Sequence, residues 1–182
     1  ILWEPLHINK VTKLKKIGFG WRQYIPENEN WSEAKHFFNK LFRGKILNKW
    51  IMRQSSVKEL QQADQFIIKF CRGNALLPYL TSNFKFKYKP IFMVRHPFAV
   101  VASQLKHGAW KDAKTHFAIP NAPFHEHYKE HEDFLHSLNT DVEVLVATWC
   151  ITNQIFLGHS KNNKDWITIT YEGLLMEPET TM

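Results

Sequence analysis

Three short segments are almost unbroken runs of β-branched and aromatic residues: 65–71 (QFIIKFC), 90–95 (PIFMVR) and 166–171 (WITITY). Runs of this length and composition predict strands buried in a parallel sheet. Residues 1–3 read as the tail of a fourth. Elsewhere apolar positions recur at helical spacing. A helix is expected over 32–42, where Ser32 is the capping residue and Phe37, Phe38, Leu41 and Phe42 share a face. A second is expected over 74–84. A third, over 97–107, carries the stripe Phe98, Val101, Ala102 and Leu105. The longest, over 141–159, places Val142, Leu145, Val146, Trp149, Ile155 and Phe156 toward a core. Strands alternating with helices predict βαβ units in one α/β domain spanning residues 1–182, with a central parallel sheet flanked by helices.

Composition agrees with a packed domain. Seven Trp and fourteen Phe in 182 residues argue against disorder. No apolar run approaches the roughly 20 residues that cross a bilayer. The opening Ile1-Leu2-Trp3-Glu4-Pro5 has neither an initiator Met nor a basic leader, so the chain reads as the interior of a longer polypeptide. A net charge of +7 suits anionic partners, or is simply a lysine-rich solvated surface. Cys71 and Cys150 lie in apolar runs and match no metal spacing, so both are expected as reduced core residues.

Residues 111–124 contain Pro120 and Pro123 without a clear period and read as a long loop of the kind that serves as a lid or binding loop. His125, His127, His131 and His136 follow it. Their spacing could suit a metal, but Glu126, Lys129, Glu130 and Glu132 make the segment polar throughout, and a solvated helix without metal is expected.

Candidate chemistry concentrates in residues 90–110 (PIFMVRHPFAVVASQLKHGAW). Arg95 closes a strand, and Pro97 opens the next helix, where its fixed φ is favourable. Open α/β sheets place ligands at the carboxyl ends of their strands, and a helix N-terminus there offers free N–H groups to an anion. Arg95 adds a planar donor fork suited to phosphate, and Ser103 lies two helical turns further on. A structural salt bridge at Arg95 is the plainer alternative.

The run Arg-His-Pro-Phe-Ala-Val-Val-Ala-Ser resembles the 3′-phosphate-binding motif of sulfotransferases that use PAPS (3′-phosphoadenosine 5′-phosphosulfate). Three other segments resemble that family: Tyr171-Glu172-Gly173-Leu174 through Pro178, residues 66–80, and Trp3-Glu4-Pro5-Leu6-His7, the last similar to carbohydrate-type and bacterial members. The resemblance implies a three-layer sandwich like that of the P-loop NTPases, truncated at its N-terminus. It implies PAPS as co-substrate, bound by Arg95, Ser103 and Tyr171, with Tyr171 against the adenine. It also implies an acceptor hydroxyl or amine, carried by a small molecule or a carbohydrate. Glu4, and secondarily His7, are candidate bases; a turn-fixing carboxylate and a structural histidine are the alternatives. Lys69 and Arg72 could meet the sulfuryl group or an anionic acceptor, or could instead pair with Glu59 or Asp64. Trp21, Tyr24, Trp31 and Trp110 could stack on a sugar or belong to the core.

The family's phosphosulfate loop, similar to Pro-Arg-Ser-Gly-Thr-Thr, does not occur in these residues, and a fragment is expected, cut also at its C-terminus. By resemblance a bacterial relative is cytoplasmic and a eukaryotic carbohydrate-type one faces the Golgi lumen. A P-loop kinase relative would need Gly-x-x-x-x-Gly-Lys-Ser/Thr and carboxylates for Mg²⁺, neither of which is visible. A non-catalytic basic module for nucleic acid or acidic glycan is the remaining rival. No RNP, helix-turn-helix or zinc-finger pattern is present, so nucleic acid is not the expected partner.

Overall fold

A computed structural model describes residues 1–53, 55–107 and 116–181. The strands are β1 (Leu2–Trp3), β2 (Ile68–Lys69), β3 (Ile91–Val94) and β4 (Ile167–Thr170). The first half carries helices α1 (Thr12–Lys16), α2 (Ser32–Phe42), α3 (Lys49–Met52), α4 (Val57–Gln61) and α5 (Leu77–Asn83), the last entered through a 3₁₀ turn at Asn74–Leu76. The second half carries α6 (Pro97–Lys106), α7 (Glu126–Lys129), α8 (Glu132–Ser137), α9 (Asp141–Leu157), α10 (Tyr171–Met176) and α11 (Pro178–Thr181). The mixed helix-and-strand character and the parallel pairing agree with an α/β reading.

The expected single sheet is corrected in one respect. Among the described residues the strands form two parallel pairs, β1 with β2 and β3 with β4, rather than one continuous sheet. The strands are also shorter than their apolar runs, most of all β2, because backbone pairs on one side only.

Helix ends follow capping chemistry. Thr140 accepts from the Glu143 N–H while the Glu143 carboxylate accepts from Thr140, so α9 begins in a capping box. Ser56 and Glu59 make the same box at α4. His96 caps α6, its Nδ1 accepting from the Phe98 N–H at 3.3 Å. Against expectation, Trp31 rather than Ser32 occupies the cap position of α2.

The largest core joins β1 to α1, α2, α3 and α5 through Leu2, Leu14, Phe38, Leu41, Ile51 and Tyr79. A smaller one packs Phe117, Tyr128 and Leu135 on Ile151 of α9. A third sets Phe156 of α9 against Phe92 of β3, ring centroids 4.3 Å apart, beside the fully buried Trp166.

Several expected core positions lie outside these clusters. Phe98 and Leu105 of α6 are 72% and 44% exposed, so only Val101 of that stripe is buried. Val142 at the start of α9 is also exposed. Cys71 and Cys150 are free thiols, but both are exposed rather than in the core: Cys71 lies past the end of β2 and Cys150 on the outer face of α9. The histidine segment forms two short helices instead of one solvated helix, with His125, Tyr128 and Leu135 buried. No described helix is long and apolar enough to cross a membrane.

Candidate functional site

A trough of about 1400 Å³ separates the two strand pairs, bordered by residues of β2 on one wall and β3 on the other. Hydrogen bonding shows why both walls are open. The Leu2 N–H donates to Ile67 O and the Glu4 N–H to Lys69 O, so alternate backbone groups of β2, at Ile68 and Phe70, face away from β1. The Ile167 N–H donates to Pro90 O, so the groups of Ile91 and Met93 face away from β4. Six cations line the trough, Arg22, Arg53, Lys69, Lys85, Lys87 and Arg95, against the one carboxylate of Asp64. This balance attracts anions.

Arg95 and Tyr171 are brought together by register. Val94 pairs with Thr170, so the residues that follow leave neighbouring parallel strands at one level. The Arg95 guanidinium lies over the Tyr171 ring, 5.1 Å from its centroid, in a cation–π arrangement, and Arg95 also lines the trough. The Trp149 indole N–H donates to Arg95 O at 3.2 Å, anchoring the strand end to α9. Beside it the His96 N–H donates to Glu172 at 3.1 Å. The Glu172 carboxyl is held below the usual range, first by its own backbone N–H, then by that of His96 and the charge of Arg95. Val100 of α6 lines the trough, and Ser103 sits one turn further along the same face, exposed.

The other candidates lie on the opposite side. Glu4 is 1% exposed, its Oε2 accepting from the Cys71 N–H and its Oε1 lying 3.4 Å from Arg72 Nη1. The carboxylate therefore ties β1 to the residue just beyond β2. His7 packs edge-on to Trp50 and Trp21 at 5.0 and 6.1 Å, with a buried Nδ1 that has no hydrogen-bond partner among the described residues. Neither side chain lines the trough. Arg72 pairs with Glu4, not with Glu59 or Asp64, and its guanidinium lies 4.1 Å from the Trp21 ring centroid. Lys69 lies over the Trp3 ring at 4.2 Å and faces the trough. Trp31 stacks on Phe19 at 5.5 Å as a core residue. Trp110 and residues 111–115 of the expected loop lie outside the described residues.

Among the trough residues to which the sequence assigned no role are Arg22, Asn74, Thr152 and Asn153. Asn74 Nδ2 donates to Thr152 O at 2.9 Å and to Asn153 Oδ1 at 3.2 Å. The adjacent Thr-Asn within the apolar α9 is the signal that could have revealed Thr152 and Asn153. A second hollow of about 530 Å³, between α1 and α2, is far from the strand ends in sequence and shares no lining residue with the trough. No group of three or more His, Cys, Asp or Glu fit to hold a metal occurs among the described residues. Comparison with protein-family models, with curated proteins and with solved structures finds no match in any of the three.

Proposed function

We propose that this chain is the larger part of a sulfotransferase domain that moves a sulfuryl group from PAPS to an acceptor hydroxyl or amine, in a carbohydrate or a small molecule. The observation that carries the reading is the Arg95–Tyr171 pair, a phosphate-binding fork laid on an aromatic ring at adjoining strand ends beside a cationic trough. In this reading Arg95 and Ser103 hold the 3′-phosphate of the nucleotide, and Tyr171 lies against its adenine. PAPS supplies the sulfuryl group. The acceptor oxygen or nitrogen bonds to sulfur, the sulfur–oxygen bond to the 5′-phosphate breaks, and adenosine 3′,5′-bisphosphate leaves. A base takes the acceptor proton, with Glu4 first and His7 second in that role; Glu4 acts only if Arg72 swings aside, because Oε1 is otherwise covered. Lys69 and Arg72 offer positive charge to the group in transfer or to an anionic acceptor.

The phosphosulfate loop is not among the 182 residues. We place it on a strand lying between β2 and β3, which would join the two pairs into one parallel sheet of the P-loop type. The open backbone groups of Ile68, Phe70, Ile91 and Met93 support that placement, since a parallel strand satisfies both rows at once.

Calorimetric titration of the chain with adenosine 3′,5′-bisphosphate and with adenosine 5′-monophosphate tests the proposal. Tighter binding of the bisphosphate, abolished by Arg95→Ala, is expected. Equal binding of the two nucleotides sinks it.

A further inference from the structure

We propose that Arg22 is a second anion-binding residue, taking a tetrahedral oxyanion of a phosphate or sulfate ester on the wall of the trough formed by α9. The loop that presents it is tightly held. Arg22 has φ +54°, a left-handed conformation that glycine adopts freely, asparagine and aspartate readily, and a side chain such as arginine only at a cost. Gln23, 1% exposed, locks the turn: its Oε1 accepts from the Gly20 N–H at 2.8 Å and its Nε2 donates to Pro123 O at 2.6 Å. Gly20 packs so closely on Ala122 that no side chain fits there.

The guanidinium so placed donates to Thr152 Oγ1 at 3.1 Å. Thr152 is itself fixed, its hydroxyl donating to Thr148 O at 2.6 Å and its carbonyl accepting from Asn74. That contact uses one of the five N–H donors of a guanidinium. Among the described residues no carboxylate pairs with Arg22; burial acts most strongly against its cationic form, Tyr128 next favours it, and the charge of Arg72 opposes it. Glu4 is committed to Arg72. A partly buried cation with no carboxylate partner among the described residues, held in strained backbone beside a trough of like charge, costs the free protein stability. The arrangement is explained by a ligand that brings the missing negative charge. The trough as a whole, six cations against one carboxylate, favours a group of high charge density.

The oxyanion could belong to the nucleotide or to the acceptor, and one set of measurements separates them. Thermal unfolding of the 182-residue chain is followed in sodium sulfate and in sodium chloride at equal ionic strength, for wild type, Arg22→Asn and Arg95→Ala. Asn suits a positive φ, so Arg22→Asn keeps the turn. It is expected to be at least as stable as wild type in chloride, while its affinity for sulfate falls roughly tenfold or more. Arg95→Ala retains part of the sulfate response. Sulfate that competes with adenosine 3′,5′-bisphosphate at Arg22 assigns the site to the nucleotide; simultaneous binding assigns it to the acceptor. A chain that binds sulfate through Arg22 but no nucleotide rejects the sulfotransferase reading and leaves this one standing. Equal protection by sulfate and chloride, or an unchanged sulfate response in Arg22→Asn, overturns it.

Discussion

Glu4→Gln separates the structural and chemical parts of this molecule. The carboxylate is 1% exposed and 3.4 Å from Arg72, whose side chain is 24% exposed. At an effective dielectric constant of about 20, the attraction at that distance is about 5 kcal/mol before the cost of removing the carboxylate from water. Removing one partner of a buried pair costs about 3–5 kcal/mol. Because Arg72 is partly solvated and can be rehydrated, the lower end applies. Gln also keeps an oxygen for the Cys71 N–H but turns an N–H₂ donor toward a guanidinium that can only donate. The expected loss is about 3 kcal/mol. For a chain of this length that lowers the melting temperature by about 6–12 °C. Urea and thermal unfolding of Glu4→Gln, Arg72→Met and the double variant measure it, the double losing less than the sum of the singles. If Glu4→Gln unfolds within about 0.5 kcal/mol of wild type, the buried pair does not hold β1 to β2, and the assignment of Glu4 as a structural tie is wrong. Under the sulfotransferase reading proposed above, Glu4→Gln should also lower kcat beyond what lost stability explains, at unchanged nucleotide affinity, if Glu4 is also the base.

Arg95→Ala should weaken adenosine 3′,5′-bisphosphate by about 10- to 150-fold, the value of one charge-assisted hydrogen bond, read by calorimetry; unchanged affinity removes Arg95 from the site. Cys71, although exposed, has its thiol pushed up to about 11 by desolvation and by the Glu4 carboxylate. Its thiolate fraction at pH 8 is then about one in a thousand, against roughly a quarter for an ordinary thiol, so alkylation followed by mass spectrometry should find it slow, and faster in Glu4→Gln. His125 and His127 are held below the ordinary imidazole pKa by burial, His127 further by His125. The unfolded chain then binds more protons, so stability is full above about pH 6.5 and falls as the pH drops toward 5. Denaturation midpoints across that range should decline, and less steeply in His125→Asn.

What the sequence discloses depends on whether a residue's role is local. The apolar runs at 90–95 and 166–171 become β3 and β4, because β-branched residues between turn signals need no distant information. The start of α9 is written in Thr140 and Glu143, three residues apart. Tyr171 is expected as the last residue of the strand run 166–171 and instead opens α10 directly after β4, since the Thr170 hydroxyl accepts from the Gly173 N–H and caps a helix there. Short helices such as α1, α3 and α4 complete too few turns to show a period. The stripe on α6 is readable as apolar, but no periodicity states whether another element covers it, and Phe98 remains exposed. The Arg95–Tyr171 pair is legible because both residues follow strands that turn out to be neighbours. Arg22 is not, because its environment is assembled from Pro123 and Thr152, each about a hundred or more positions away.

The distribution of exposed apolar residues carries the argument about the trough one step further. Ile67, Ile91, Met93 and Ile167 are 70%, 67%, 47% and 41% exposed, and all four belong to or adjoin the paired strands. A sheet edge with such residues and open backbone groups is a template for uncontrolled pairing. Here the lysines and arginines of the trough stand along it, and like charge opposes the approach of a second copy. A second copy's β2 or β3 already has a partner on one side, so it cannot bond to both walls at once. A single extended apolar segment without partners of its own can do so. The hydrogen bonding of the two walls thus fits the lone parallel strand proposed above better than a second copy of the chain.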